Sequence, residues 1–284
     1  MRRVALLAGL VLAGLLLSVC SSRAPVEGPV PLLRAHAHND YLHERPLYDA
    51  LDRGFTSVEA DIHLVEGELY IGHDFVTEDP EKTLRALYLD PLRERVRENG
   101  GSVYPDGTQL TLLIDMKTPS APTYEVLRDV LRDYEDILTT FGPDWRRDGP
   151  VLVITGGPRD TMALEEVRYA ARNGGLGVLD SDDPATLTLL VGARWADVFR
   201  WRGDVAMPES QQEQLFSIVE QAHEQGRRVR FYATPDFEGP QREAVWQMLV
   251  DADVDLINTD QLDALQAFLL EHDPDLKRGF RLFP

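Results

Sequence analysis

The sequence predicts a single-domain α/β protein with the (β/α)8 barrel, or TIM barrel, fold. Short apolar runs that suit buried strands alternate with longer segments in which apolar residues have helical spacing. Eight such strand–helix units fit into roughly 250 residues, the usual length of this fold. No low-complexity break divides the chain after Leu32, so we predict that residues 32–284 form one barrel.

Eight apolar runs are the predicted barrel strands. In chain order they are Leu32–His36, Ser57–His63, Leu110–Met116, Val151–Thr155, Gly177–Leu179, Asp197–Trp201, Arg228–Tyr232 and Asp255–Asn258. Glu68–Gly72 is predicted to pair back on the second strand across Glu66-Gly67, so it is a hairpin excursion rather than a barrel strand. The strand pattern is weakest in the fifth and sixth runs.

The predicted helices lie between these strands and have apolar residues three or four positions apart. In chain order they are Pro46–Asp52, Thr83–Arg97, Tyr124–Leu138, Thr161–Arg172, Glu209–Gln225, Arg242–Ala252 and Leu262–Leu270. Gly54 ends the first of them, because glycine readily adopts the backbone conformation that closes a helix. The alternation of strand and helix is typical of a parallel sheet.

The overall charge excludes two classes of partner. The chain has 29 Lys and Arg against 48 Asp and Glu, a formal net charge of −19. Nucleic acids and anionic bilayers are recognised through a surplus of Lys and Arg, so neither is an expected partner.

Cys20 is the only cysteine, so no disulfide can form within the chain. We expect a monomer.

The N-terminus has the pattern of an export signal. Arg2 and Arg3 precede an apolar run, Val4–Val19, that is short for a membrane span, so residues 1–20 are predicted as a signal peptide. Leu17-Ser18-Val19-Cys20 resembles a bacterial lipoprotein box, and lipidation of Cys20, ordinary cleavage nearby and an uncleaved anchor stay open. Residues 21–31 are predicted as a linker. We expect a periplasmic or extracellular protein, with or without a lipid anchor.

Ionisable residues collect where the predicted strands end. Glu59, Asp61 and His63 alternate along the second strand, so their side chains share one face. Asp115 and Lys117 share a face in the same way at the end of the third strand. Two carboxylates at one barrel mouth repel each other unless a cation lies between them, and oxygen ligands favour Mg²⁺ or Ca²⁺. In barrel enzymes, polar residues at these strand ends are typically catalytic.

Several of these segments resemble the superfamily of phosphatidylinositol-specific phospholipases C and glycerophosphodiester phosphodiesterases, and we expect a divergent bacterial branch of it. His38-Asn39-Asp40-Tyr41 is similar to the phospholipase His-Asn-x-Tyr segment, and Ser57–Asp61 to the Glu-x-Asp metal pair. His73-Asp74 is similar to the segment with the second catalytic histidine, and Leu113–Lys117 to the acidic-x-Lys strand. Val254–Asp260 resembles the last strand of the phosphodiesterases.

The resemblance implies a TIM barrel that hydrolyses a phosphoric diester with one divalent cation, Mg²⁺ or Ca²⁺. The implied metal ligands are Asn39, Glu59, Asp61 and Asp115. His38 and His73 would be the acid–base pair, and Lys117 would neutralise the phosphodiester. His36 would take the acid–base role if the register were two residues off, or would instead orient a neighbouring group. The substrate would be a small-molecule or lipid phosphodiester.

Other readings of the sequence remain open. Asn39-Asp40 stand where a glycerophosphodiesterase has Arg-Gly. This difference favours a divergent enzyme for a lipid or sugar phosphodiester over a typical phospholipase C or glycerophosphodiesterase. His36-Ala37-His38 also mimics the ligand pair of a zinc amidohydrolase, although no histidine occurs between His73 and His223. A non-catalytic lipoprotein that binds phospholipid or sugar phosphate is the alternative of another class.

Four residues at the ends of later strands have weaker claims to a role. Asp260 is expected to cap the last helix after Thr259. Arg200, Trp201 and Tyr232 end predicted strands, where they would either line a headgroup pocket or pack in the core.

Overall fold

Eight parallel strands close into a barrel in the computed structural model, which describes residues 28–278. The predicted signal peptide, Cys20 and most of the predicted linker lie outside these residues. The strands are β1 (Leu32–Ala37), β2 (Phe55–Val65), β3 (Glu68–Ile71), β4 (Leu110–Met116), β5 (Thr140–Phe141), β6 (Arg146–Arg147), β7 (Val151–Thr155), β8 (Ala171–Gly174), β9 (Thr188–Arg194), β10 (Arg228–Tyr232) and β11 (Leu256–Thr259).

The strand order of the barrel is β1-β2-β4-β7-β8-β9-β10-β11, and β11 pairs with β1, so the barrel is closed. The predicted TIM barrel is therefore confirmed. β3 runs antiparallel to β2 as the predicted hairpin, and both turn residues, Glu66 and Gly67, have positive φ angles of 49° and 88°. β5 and β6 form a separate two-stranded ribbon.

Helices cover the outside of the barrel and separate most consecutive strands. They are α1 (Tyr48–Leu51), α2 (Asp90–Glu98), α3 (Ser120–Arg132), α4 (Arg159–Ala163), α5 (Trp195–Val198), α6 (Glu209–Glu224), α7 (Pro240–Asp251), α8 (Leu262–His272) and α9 (Pro274–Arg278). A π-helical turn, Arg85–Leu89, leads into α2. Within residues 28–278, no helix is long and apolar enough to cross a membrane.

The two faces of β2 show why polar side chains reach the barrel interior. Val58, Ala60 and Ile62 are completely buried in the main apolar core. Alternate residues of a strand point to opposite faces, so Glu59 and Asp61 turn away from that core. In β4, Asp115 is the direct neighbour of Asp61, which brings the two carboxylates together at one end of the barrel.

The middle of the barrel differs from the prediction. The expected helix Thr161–Arg172 is wrong, because α4 ends at Ala163 and Ala171–Gly174 forms strand β8. This strand has no apolar alternation, and its pairing with β7 and β9 decides its structure instead. The expected strand Gly177–Leu179 is also wrong, since Leu176–Asp180 is a 3-10 helix.

The sixth strand lies earlier in the chain than predicted, at Thr188–Arg194 rather than Asp197–Trp201. Trp195, Phe199 and Trp201 instead form an aromatic cluster with Phe231, in which Phe199 lies 4.5 Å from Trp195 between ring centroids. Trp201 is 5% exposed and packs in this aromatic cluster. The apolar residues of this segment therefore serve core packing and do not form a strand.

An arginine near the start of β1 ties the C-terminal segment to the barrel. Arg34 is 7% exposed and lies 2.6 Å from Asp253, 2.7 Å from Asp275 and 3.4 Å from Asp273, measured between side-chain N and O atoms. Asp273 is itself 1% exposed. Removal of the guanidinium would leave a buried carboxylate without its cation.

We therefore expect Arg34→Met to lower the free energy of unfolding by about 3–5 kcal/mol, the range for breaking a buried ion pair. Urea denaturation followed by circular dichroism would measure this loss. The matched control is Arg45→Met, because Arg45 makes ion pairs while its side chain is 57% exposed. Equal stability losses in the two variants would contradict a buried network at Arg34.

A second ion pair makes the stability depend on pH. In the last turn of α6, His223 Nε2 lies 2.9 Å from Oδ2 of Asp255, a buried carboxylate. The hydrogen bond to Asp255 raises the pKa of His223, and this outweighs the opposing effect of burial. A raised folded-state pKa adds stability that is complete below the unfolded pKa of about 6.5 and is lost as the pH rises through the folded value.

We expect His223→Gln to lower the free energy of unfolding by about 1–2 kcal/mol at pH 6, the range for a charge-assisted hydrogen bond with partial solvent screening. The difference from the wild type should shrink as the pH rises toward 9. Urea denaturation of both proteins across this range is the measurement, and a difference that stays constant or grows would contradict the pairing.

Candidate active site

Three carboxylates converge at the C-terminal ends of β2 and β4. Glu59, Asp61 and Asp115 each offer an oxygen atom, and these three atoms lie within 4.8 Å of one another. Glu59 and Asp61 share one face of β2, and Asp115 is the register partner of Asp61 on β4. The structure thus brings together three of the four residues that the sequence suggests as metal ligands.

Asp61 provides a test of whether a cation fits here. Its carboxylate is buried, and its Oδ2 accepts hydrogen bonds from Tyr41 at 2.8 Å and is 3.1 Å from Lys117 Nζ. Its Oδ1 has no hydrogen-bond partner among the described residues. A buried carboxylate oxygen without a donor is costly, and a hard divalent cation would satisfy it. The three carboxylates therefore fit Mg²⁺ or Ca²⁺.

Lys117 lies against two of these carboxylates. Its Nζ is 2.7 Å from Asp115 Oδ2 and 3.1 Å from Asp61 Oδ2. Burial lowers the pKa of Lys117, but the hydrogen bonds and negative charges of Asp115 and Asp61 outweigh it, and the net shift is upward. Lys117 is therefore a fixed positive charge at the edge of the carboxylate cluster.

Asn39 is the fourth suggested metal ligand. It has a left-handed backbone with φ of 48°, just before a 3-10 turn (Asp40–Leu42). Its side chain lines a cavity together with Glu59 and Asp115. Its Oδ1 lies 2.9 Å from the Tyr41 hydroxyl, whose single proton is shared between this oxygen and Asp61 Oδ2. An amide oxygen has two lone pairs, so one is still free to bind a cation.

His38 is oriented by a carboxylate from the other end of the chain. Its Nδ1 is 2.7 Å from Asp260 Oδ1, and its Nε2 is 4.0 Å from Glu59 Oε2. Burial lowers the pKa of His38, but the hydrogen bond to Asp260 and the charge of Glu59 outweigh it, and the pKa is raised. A carboxylate on Nδ1 fixes the tautomer and leaves Nε2 for proton transfer.

Asp260 therefore has a role that the sequence did not predict. We expected it to cap the last helix, but the N-cap of α8 is Gln261, which makes no side-chain cap hydrogen bond. Asp260 directly follows β11, which pairs with β1, so the barrel brings it next to His38. The signal in the sequence was its place at a strand end.

His73 lies in the loop after β3 and lines the same cavity as His38. Its side chain is half exposed, and its Nδ1 is 2.7 Å from Asp74 Oδ1. His63 Nε2 donates a hydrogen bond to the backbone oxygen of His73 at 3.0 Å, which helps to hold the loop. The structure therefore places both suggested acid–base histidines on one cavity.

His36 lies deeper in the barrel and has no exposed surface. Its Nδ1 is 2.7 Å from Ser57 Oγ, and its Nε2 is 3.3 Å from Glu59 Oε2. Burial and the charge of Arg230 lower its pKa to about 4, so His36 is neutral at pH 7. These contacts favour the orienting role for His36, since both ring nitrogens are already engaged.

Arg230 is the main site residue that the sequence interpretation missed. It is 5% exposed within β10, and it donates hydrogen bonds to Glu59 Oε2 at 2.8 Å and to Asn258 Oδ1 at 2.6 Å. Burial would raise the pKa of Glu59, but Arg230 and His36 hold it well below its usual range. The available signal was an arginine at an interior position of a buried strand.

Most of these side chains line a cavity of about 350 Å³, whereas Asp61 and His36 lie behind its walls. Its walls are a mixture of ionisable, amide and apolar groups from six barrel strands and their loops. They are His38, Asn39, Glu59, His73, Leu113, Ile114, Asp115, Lys117, Gly156, Asn173, Arg230 and Tyr232. Tyr232, one of the suggested headgroup-pocket residues, thus faces the cavity, whereas Trp201 is buried in the aromatic cluster and Arg200 is exposed.

A family model described as an AIM6-like phosphodiesterase domain matches residues 26–169. The chain is also 31% identical to the protein Altered inheritance of mitochondria protein 6 from Eremothecium gossypii, over 87% of this chain and 72% of that one. This chain belongs to the AIM6-like phosphodiesterase family. The protein of the same name from Lachancea thermotolerans is 29% identical to this chain. The match covers 81% of this chain and 64% of that relative.

A solved structure supports the fold of this AIM6-like chain. A glycerophosphoryl diester phosphodiesterase from Parabacteroides distasonis superimposes with a TM-score of 0.51 at 12% identity, over 88% of this chain and 89% of that one. This likeness agrees with the barrel fold. The expected bacterial branch is not confirmed, because the sequence relatives that place the chain in its family are fungal.

Proposed function

We propose that this AIM6-like protein is a metal-dependent phosphoric diester hydrolase that acts on a lipid-, glycerol- or sugar-derived diester. The observation that carries the proposal is one cavity lined by two carboxylates of the cluster, by Lys117 and Arg230 and by two histidines, with the third carboxylate, Asp61, directly beside the other two. Hydrolysis of a phosphodiester needs charge stabilisation on phosphoryl oxygens and proton transfer at two oxygens. The residues of the cavity supply groups for both tasks.

Glu59, Asp61 and Asp115, with Asn39 beside them, would hold one divalent cation. Bound there, Mg²⁺ or Ca²⁺ would polarise a phosphoryl oxygen and offset the charge that develops on it. Lys117, which directly follows β4, and Arg230, which lies in β10, add positive charge. Arg230 also fixes Glu59 with a hydrogen bond of 2.8 Å, and neutral His36 supports the same carboxylate from below.

His38 and His73 would divide the proton transfers. We assign His38 as the general base, because Asp260 on Nδ1 leaves the Nε2 lone pair facing the cavity and stabilises the imidazolium that forms. His38 takes a proton from the nucleophile, which is water or a neighbouring hydroxyl of the substrate. His73 gives a proton to the oxygen of the departing alcohol as its bond to phosphorus breaks.

A second candidate is a non-catalytic protein that binds phospholipid or sugar phosphate in the same cavity. The exposure of His73 favours it to some degree, because half of that side chain faces solvent. The two candidates differ in their products. Phosphorus NMR of the full-length protein with glycerophosphodiesters and phospholipid micelles, with Mg²⁺ or Ca²⁺, should show a new monoester or cyclic ester. Binding without any new phosphorus signal would favour the second candidate.

Export is a separate proposal that rests on residues 1–20 alone, with Cys20 as the position for lipidation. Mass spectrometry of the protein from its native host should find an N-terminus downstream of residue 19. A protein that retains Met1 in the mature form would contradict cleavage. Replacement of Cys20 by Ser would separate the two export routes, because only a lipid-anchored protein would then leave the membrane fraction.

A further inference from the structure

A second cavity, of about 520 Å³, lies beside the catalytic one. It opens between the N-terminal ends of α7 and α8, and its walls include Arg242, Asp260 and the first turn of α8. Asp260 joins the two cavities, since it lines the second one and holds His38, which lines the first. The second cavity therefore lies close to the catalytic site without sharing its metal-binding carboxylates.

Arg242 is a buried cation that makes no close ion pair in the described part of the chain, although its charge acts on the nearby carboxylate of Asp236. It is 6% exposed, and within residues 28–278 it makes no ion pair and no side-chain hydrogen bond. Its Cζ lies 4.7 Å from the ring centroid of Trp246, which fixes the position of the guanidinium. The Nε of Arg242 is buried and has no hydrogen-bond partner among the described residues, which is costly, and an anion in the cavity would satisfy it.

The start of α8 provides further donors on the same cavity. Its N-cap residue, Gln261, makes no side-chain cap hydrogen bond, and its first three residues, Leu262, Asp263 and Ala264, all line the cavity. The backbone N–H groups of a first helical turn have no partner within the helix. Together with the dipole of this helix of 11 residues, they favour an anion at this end.

Carboxylates also line this cavity, but most of them already have partners. Arg53 lies 2.5 Å from Asp263 and 3.8 Å from Asp49, and His38 engages Asp260. Asp236 accepts hydrogen bonds from the Thr259 hydroxyl and the Asp260 N–H, each at 2.9 Å to its Oδ2. The remaining one, Glu238, is exposed. Arg242 and the α8 amides are thus the groups that still need a partner.

We propose that this second cavity binds a small oxyanion, namely a phosphate group, between Arg242 and the first turn of α8. β10 and β11 are the seventh and eighth strands of the barrel, and the loops after these strands commonly form a phosphate site in TIM barrels. The phosphate group is either free inorganic phosphate or the terminal group of a phosphomonoester. This site goes beyond the proposed hydrolase activity and does not depend on it.

Isothermal titration of the full-length protein with inorganic phosphate tests the proposal directly. EDTA is present throughout, so that no metal ion bridges phosphate to the catalytic carboxylates. We expect Arg242→Gln to weaken phosphate binding at least tenfold, because it removes the charge that faces the anion. Lys117→Met is the matched control in the catalytic cavity, and it should leave this binding unchanged.

A second variant keeps the test decisive if Arg242→Gln does not fold. Ala264→Glu places a carboxylate at the third position of α8, where an acidic residue favours the helix but repels an anion. It should also weaken phosphate binding at least tenfold. The proposal is overturned if wild-type protein binds no phosphate at tens of millimolar, or if Lys117→Met abolishes binding while Ala264→Glu retains it.

Glycerol 3-phosphate in a parallel titration distinguishes the two sources of the phosphate group. Binding of both compounds, each sensitive to Ala264→Glu, would assign the site to the terminal phosphate of an ester. Binding of inorganic phosphate alone would assign it to the free ion. No turnover is measured in any of these titrations, so a failure of the proposed hydrolase activity would leave their outcome unaffected.

Discussion

His38→Ala is expected to lower kcat by roughly 10²–10⁴-fold, the usual contribution of a general acid or base. The variant removes the imidazole that Asp260 holds at the cavity, while the three carboxylates of the cluster stay in place. Excess metal should therefore restore none of the lost rate. His36→Ala should behave differently, because His36 contacts Glu59 from a fully buried position and its loss acts through metal affinity or folding.

The leaving group separates the roles of the two histidines. A p-nitrophenolate leaving group needs little protonation, so it should restore much of the rate of His73→Ala if His73 is the general acid. The rate of His38→Ala should stay low on both an alkyl and a p-nitrophenyl diester. If the p-nitrophenyl diester restores His38→Ala instead, the two assignments are reversed. Full activity of both variants on the alkyl diester would refute the histidine mechanism.

Asp115→Asn is expected to fail for a different reason, because it removes one ligand charge from the metal site. Outer contacts of metal ligands already affect affinity by 10–100-fold, so removal of a ligand charge should weaken metal binding by at least roughly tenfold. Activity should return in part at high Mg²⁺ or Ca²⁺. The Asp115 side chain is 49% exposed, which makes this variant a milder change to folding than one at buried Glu59.

A metal titration of turnover for the wild type and Asp115→Asn measures this effect. The matched control is Asp74→Asn, because Asp74 carries an exposed carboxylate near the same cavity but does not belong to the carboxylate cluster. Its half-saturating metal concentration should equal that of the wild type. If Asp115→Asn shows the wild-type metal dependence, Asp115 is not a ligand.

Local patterns in the sequence predicted the parts of the fold that are formed by apolar strands. β4, β7 and β10 have the predicted bounds, because each is an uninterrupted apolar or alternating run between turn residues. β8 could not be found in this way, since Ala-Arg-Asn-Gly becomes a strand only through its neighbours β7 and β9. Intrinsic strand preference is weak compared with such pairing.

The candidate site shows the same division between local and distant information. Glu59, Asp61 and Asp115 were suggested by strand alternation and by strand ends, and the structure brings their oxygens together. Asp260 and Arg230 reach the site only because the closed barrel brings its last strands beside its first. The contact between Arg230 and Glu59 spans 171 positions of the chain, so no local pattern contains it.

The most direct test of the proposed function is turnover of a phosphodiester by EDTA-treated protein as Mg²⁺ or Ca²⁺ is added back. The carboxylate cluster with its unpartnered Asp61 Oδ1 predicts no measurable turnover without metal and a rise that saturates at one bound cation per chain. Isothermal titration under the same conditions should give the same stoichiometry. Unchanged turnover in EDTA, or no hydrolysis of any diester with metal present, would contradict a metal-dependent diesterase.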